Sequence, residues 1–149
     1  MTSLTRIPAC LALATALALT GLVPDAAARS RAADRLVQEQ IAAGCGEGTG
    51  GQFAPGAVIE RDLTGDGRDD LIISHEGLTC GSAGRSAFCG MRTCAVLLYV
   101  REGDLLRKQK DVLSIGVSVT SGDPPAIQLT GNDFQPRTMR WNGRSFVFE

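Results

Sequence analysis

The sequence predicts an α+β domain that is mostly β, with an N-terminal helix packed on a small antiparallel sheet and two disulfides. Three observations carry that expectation. Residues 30–43 place apolar side chains at three- and four-residue steps, whereas the later apolar segments are short, strand-like runs between turn signals. Four of the five cysteines fall after residue 28, and an exported chain uses an even number of cysteines in pairs. The chain has only five Phe, one Trp and one Tyr, so its core is modest and covalent staples would help it.

The first segment reads as a leader. Arg6 supplies a basic start, residues 7–23 are apolar, and Ala26, Ala27 and Ala28 give the small-residue pattern of a signal peptidase site. The expectation is a signal peptide over 1–28 and a single disulfide-stapled domain over 29–149. Pro8, Thr15, Thr20 and Gly21 interrupt the apolar run and argue against a retained membrane anchor. Cys10 precedes that run rather than following it, which argues against lipid attachment. Cleavage would remove Arg6, Asp25 and Cys10, leaving 14 Lys+Arg, 15 Asp+Glu and four cysteines. So even a balance gives no reason to expect nucleic acid or, after signal removal, a membrane surface as partner. The implied location is periplasmic or secreted.

Within the domain, Ala33, Leu36, Val37, Gln40 and Ile41 share one helical face, Ser30 is placed to cap the helix, and Gly44 to stop it. Residues 44–52 hold five glycines and read as a loop; no phosphate-binding glycine pattern is present. Strands follow over 57–62 and 70–75, then a Gly- and Ser-rich excursion over 76–93. The most apolar segment, 94–101, is expected to be the central strand, with further strands over 105–113, 115–120 and 126–130. Asn142-Gly143 between 137–141 and 144–149 signals a hairpin. A two-residue turn there would set Met139 opposite Phe146 and place Trp141, Met139, Phe146 and Phe148 on one core face.

Cys89 and Cys94 bracket a short glycine-containing loop and are expected to pair, leaving Cys45 to join Cys80. The alternative is Cys80–Cys94 with Cys45–Cys89. Zinc is disfavoured because paired CxxC elements are missing and His75 is the only imidazole.

The segment 62–70, DLTGDGRDD, followed at once by LIIS, is the main chemical candidate. Oxygen donors at alternating positions with glycine at the bend suit a calcium loop. Its metal ligands would be Asp62, Thr64, Asp66, the backbone carbonyl of Arg68, and Asp70. It is not an EF-hand, because the twelfth position is Ile73 rather than a bidentate Glu. The same residues also suit a metal-free acidic turn. With DL at Asp70-Leu71 the run resembles the DxNGDGxxDL signature of FG-GAP/VCBS-type repeats, with Thr64 in place of the usual Asn or Asp. Those repeats build propellers, for which this chain has neither length nor copies. Together with Cys80, the FCGxxxC stretch 88–94 and the WNGxxF stretch 141–146, the loop resembles small exported proteins of alphaproteobacterial type. The resemblance implies a periplasmic location and the same loop, and supplies no activity.

As the only histidine, His75 is the one candidate general base, and no serine stands in a nucleophile-elbow context. The expectation is therefore a non-catalytic exported module, with Ca2+ as its candidate cofactor, that binds an unknown periplasmic or envelope component. The alternative is a small hydrolase, or an inhibitor of one, working through the 76–93 loop with His75 or Arg85.

Overall fold

A computed structural model describes residues 29–81 and 84–149. The expected leader, 1–28, lies outside the described residues. A helix, α1 (Arg31–Cys45), is followed by eleven strands: β1 (Gly51–Phe53), β2 (Val58–Arg61), β3 (Asp70–Ser74), β4 (Leu78–Cys80), β5 (Gly84–Arg85), β6 (Cys94–Glu102), β7 (Leu105–Ser114), β8 (Val117–Val119), β9 (Ile127–Thr130), β10 (Pro136–Trp141) and β11 (Phe146–Phe148). A single 3-10 turn, His75–Gly77, joins β3 to β4.

All the pairings are antiparallel and form three sheets, ordered β2-β3-β6-β7, β11-β10-β9-β8 and β1-β4-β5. The first is the middle layer. Because side chains alternate along a strand, Ile72, Val96, Leu98 and Val100 point to one face and meet Ile127, Leu129, Met139 and Phe146 of the second sheet. Leu71, Ile73, Leu97 and Tyr99 point to the other face and meet Ala33 and Val37 of α1. Burial on both faces explains why residues 71–73 of β3 and 94–100 of β6 are continuously apolar instead of alternating.

Ser30 caps α1, its hydroxyl accepting from the Ala33 N–H at 3.3 Å. The helix does not stop at Gly44. It runs to Cys45, and Gly46, at φ 88, is the residue that turns the chain. Gly44 is there for proximity: a Cβ on it would lie 2.7 Å from Ser86 Oγ and 2.9 Å from a Leu78 methyl. Part of the expected loop and excursion is also strand, since β1, β4 and β5 form the small sheet beside the helix end.

β7 is an outer edge carrying Arg107, Lys108, Lys110 and Asp111, with Gln109 bulged out of register against Leu98 and Tyr99. Charge and a bulge both oppose pairing with a foreign strand. The C-terminal hairpin differs from expectation by one step of its register. Trp141 opposes Phe146 and Met139 opposes Phe148, around a four-residue connection. The reason is Asn142, whose side-chain oxygen accepts from the N–H groups of Arg144 and Ser145 and so stabilises the longer turn. The shift moves each pairing by two residues, so all four side chains keep a common face.

Candidate functional site

Four neighbourhoods hold the chemistry-bearing residues. The acidic loop joins β2 to β3. Asp62 is its hub: Oδ1 accepts from the N–H groups of Thr64, Gly65 and Asp66, and Oδ2 accepts from Gly67 N–H at 2.7 Å. Asp66 is given to Arg68, whose Nη2 donates to Oδ2 at 2.7 Å and whose backbone N–H donates to Oδ1 at 2.9 Å. That guanidinium holds the Asp66 carboxyl below its usual range. Asp70 turns inward and is fully buried. Its Oδ2 accepts from the N–H groups of Leu63 (2.9 Å) and Thr64 (3.1 Å), and its Oδ1 from Arg101 N–H at 2.9 Å. Burial pushes the Asp70 carboxyl up, against the opposing pull of those donors.

The donor set fits a hard cation, since carboxylates and carbonyls are what calcium takes. In this geometry, however, the same oxygens serve loop N–H groups and Arg68. Cation binding through Asp62, Thr64, Asp66, Arg68 and Asp70 would require Arg68 to leave Asp66 and the buried Asp70 to share its oxygens with the Leu63, Thr64 and Arg101 N–H donors. Asp69 stays at the surface, where its carbonyl accepts from Arg101 Nε at 2.7 Å.

His75 is buried, not at an accessible strand end. Gln40 Oε1 lies 3.0 Å from Nε2, so Nε2 carries the proton, and Nδ1 accepts from the Ser86 hydroxyl at 2.9 Å. Phe88 N–H donates to the same hydroxyl at 3.2 Å. Phe53 and Phe88 pack edge-on against the imidazole. Burial lowers the His75 pKa and keeps the ring neutral. Ser86 is itself buried, so this Gln–His–Ser series fastens α1 to the cysteine loop and presents no accessible nucleophile.

Both disulfides join the expected partners, Cys45–Cys80 and Cys89–Cys94. Around the second, Glu76 Oε2 lies 2.8 Å from Cys94 Sγ. Arg85 Nη2 lies 3.4 Å from the same sulfur and 3.2 Å from the Glu76 carboxylate. Among the described residues, Glu76, Cys89 and Cys94 form the one group of three potential ligand side chains whose ligand atoms lie within 4.8 Å of one another, and two of them share the disulfide.

The last neighbourhood is an open apolar cleft of about 670 Å3 where the middle layer meets the C-terminal sheet. Val112 and Leu113 of β7, Leu129 of β9 and Phe148 of β11 line it, with Arg137 and Glu149 at its rim. Leu113 is 68% exposed and also borders a second depression with Met91 and Arg92. The Arg92 guanidinium lies 5.5 Å from the centre of the exposed Phe134 ring. Phe134 holds a left-handed backbone conformation at φ 60, which is rare for a bulky residue. Nothing in the local sequence marks this cleft, because its walls come from strands far apart in the chain.

Comparison with protein-family models, curated proteins and solved structures gives no match.

Proposed function

We propose that the protein is an exported binding domain whose partner, a periplasmic or envelope component, docks on the cleft between β7 and the C-terminal hairpin. The observation that carries this reading is the cleft and the side chains around it. Met91, Leu113, Phe134 and Phe148 are large apolar groups left exposed, and Leu113 and Phe148 line the cleft itself. Exposed apolar patches rimmed by polar groups are where partners bind. Two disulfides suit an oxidising compartment. No helix among the described residues is long and apolar enough to cross a membrane.

The acidic loop takes a stabilising part in this proposal, as a weak calcium site built from Asp62, Thr64, Asp66, the Arg68 carbonyl and Asp70. Its donor chemistry and the exposure of Asp66 and Arg68 support that assignment, and the ion would replace Arg68 as the counter-charge of Asp66. The alternative reading keeps the 76–93 loop as the working segment of a hydrolase or hydrolase inhibitor. In favour of the inhibitor form is Met91, 98% exposed inside the loop closed by Cys89–Cys94.

The test is retention of periplasmic components on immobilised protein, with calcium or with EDTA, comparing wild type with Leu113→Glu and with the surface variant Arg35→Ala on α1. The docking reading expects a component retained by wild type and Arg35→Ala and lost by Leu113→Glu. Equal retention by all three, or none by any, would overturn it.

A further inference from the structure

We propose that Cys89–Cys94 is a thiol–disulfide exchange site, in which an incoming thiolate attacks Cys89 and Cys94 is the sulfur that leaves. This goes beyond the binding role and does not depend on it. The two cysteines of this bridge are unequal. Cys94 is fully buried at the start of β6, whereas Cys89 is part-exposed in the loop beside it. Phe88 and Met91, both exposed, flank the attackable sulfur and offer apolar contact to a protein thiol.

Charged groups stand where the leaving sulfur needs them. Arg85 Nη2, 3.4 Å from Cys94 Sγ, stabilises a thiolate there. Glu76 Oε2, 2.8 Å from the same sulfur, is placed as a carboxylate to take the proton of the Cys94 thiol when the bridge re-forms. The polar neighbour of Cys80 in the other disulfide is the uncharged Gly44 carbonyl oxygen, at 3.7 Å.

Opening this bridge also leaves the fold tied. Gly90 N–H donates to Thr93 O and Ala95 N–H to Phe88 O, while Arg85 Nη1 donates to Gly90 O at 2.8 Å. The bridge spans a sequence separation of 5, against 35 for Cys45–Cys80, so it constrains the unfolded chain much less. A metal held by Glu76 and the two thiolates is the less favoured use of this group. Arg85 would set a positive charge against the ion from within contact distance of two of the three ligands.

The co-reactant is a dithiol. Its first thiolate forms a bond to Cys89 Sγ, the Cys89–Cys94 bond breaks, and the electron pair goes to Cys94, held as a thiolate beside Arg85 until it takes a proton from solvent. The second thiolate of the dithiol then attacks its own sulfur in the mixed disulfide and displaces Cys89 as a thiolate, which is protonated. Two electrons and two protons pass from the dithiol, which becomes a disulfide, to the two cysteines. In reverse, Glu76 takes the proton from Cys94, and the resulting thiolate attacks a mixed disulfide held on Cys89.

The test uses the folded protein and dithiothreitol, with alkylation and mass mapping of the thiols formed. Cys89 and Cys94 should open while Cys45–Cys80 stays closed and the circular dichroism stays native. Reoxidation with oxidised glutathione should pass through an adduct on Cys89, and Glu76→Gln should slow its closure about tenfold or more. Opening of both bridges together with loss of structure overturns the proposal, as does an adduct on Cys94. Closure at the wild-type rate in Glu76→Gln would remove Glu76 from the mechanism. Selectivity and adduct position are read in the wild-type protein, so they hold even if the variant folds poorly.

Discussion

Arg101 holds Asp70 through its backbone and Asp70's neighbours through its side chain: the Arg101 backbone N–H donates to the buried Asp70 carboxylate at 2.9 Å, and the side chain crosses to Asp69 and Glu60. Its Nη2 lies 2.9 Å from Glu60 Oε1 and donates to Ser30 Oγ at the same distance. Glu60 in turn accepts from the Ser30 backbone N–H. One arginine on β6 thus connects the acidic loop, β2 and the cap of α1. The groups it joins are largely shielded from water, so their bonds are worth more than surface pairs.

Replacing Asp70 is therefore expected to be severe. Asp70→Ala leaves the Leu63 and Arg101 N–H groups without this acceptor, while Thr64 N–H keeps Asp62 Oδ1, and should cost roughly 2–4 kcal/mol in urea unfolding. Asp70→Asn is not conservative, because its amide NH2 must face a donor on one side of the carboxylate site. A loss below about 1 kcal/mol for either variant would show that these N–H groups find other partners.

His75 sets a pH dependence. Its pKa is lowered in the folded protein from the ordinary 6.5, so the unfolded chain takes up the proton first as pH falls. Stability is full above about pH 6.5 and declines below it, by up to about 1.4 kcal/mol per pH unit, until the folded-state pKa is reached. Asp70 acts in the opposite sense. Its raised pKa lets the folded state bind a proton first, which adds stability as pH falls towards 3.8. The His75 share is the difference between wild type and His75→Gln across pH 8 to 5. A flat difference would contradict the buried neutral imidazole.

Gly44→Ala should destabilise through overlap, since the helix itself tolerates alanine well. The added methyl meets Ser86 Oγ, Leu78 and the His75 ring together. A melting-curve comparison should show a loss of about 1–3 kcal/mol. The same change should cost less in a Ser86→Ala background than in the wild type, because that background lacks the closest contact.

Phe146 and Phe148 should behave oppositely despite their spacing of two. Phe146 is fully buried and packs against Trp141 at 5.1 Å, so Phe146→Ala should cost about 3–5 kcal/mol. Phe148 is half exposed in the cleft; Phe148→Ala should cost under about 1 kcal/mol while weakening partner retention. Equal unfolding losses for the two would contradict the half-exposed position of Phe148.

Arg68→Gln should raise the calcium response of the acidic loop, since it frees Asp66 from its internal counter-charge. Melting temperature measured up to about 5 mM calcium should rise more in this variant than in wild type. No shift in either protein would leave the loop as a metal-free turn.

Much of this arrangement is legible in the chain. The helical face of Ala33, Val37 and Gln40, the strand sequence from 57 onward and the position of the acidic hairpin all follow from local periodicity and turn residues. Of the two disulfide pairings that spacing and even number left open, the favoured one, Cys89–Cys94 with Cys45–Cys80, is present. Gln40 fell on the buried face by period alone, yet its role as partner of His75 depends on an element 35 residues away. Gly44 read as a helix stop because a glycine's sequence context does not show what lies against it.

Local sequence set the helix, the main strands and the place of the acidic hairpin, because these depend on residues near one another, while counting and spacing favoured the cysteine pairs observed. Tertiary structure alone decided that His75 is sealed between Gln40 and Ser86, that Asp70 faces backbone donors, and that Glu76 and Arg85 meet Cys94. It also decided that β7 and the C-terminal hairpin leave a cleft between them. The physical reason is common to all four. Each depends on strand register and layer packing, which bring together groups with no local constraint on their separation in the chain.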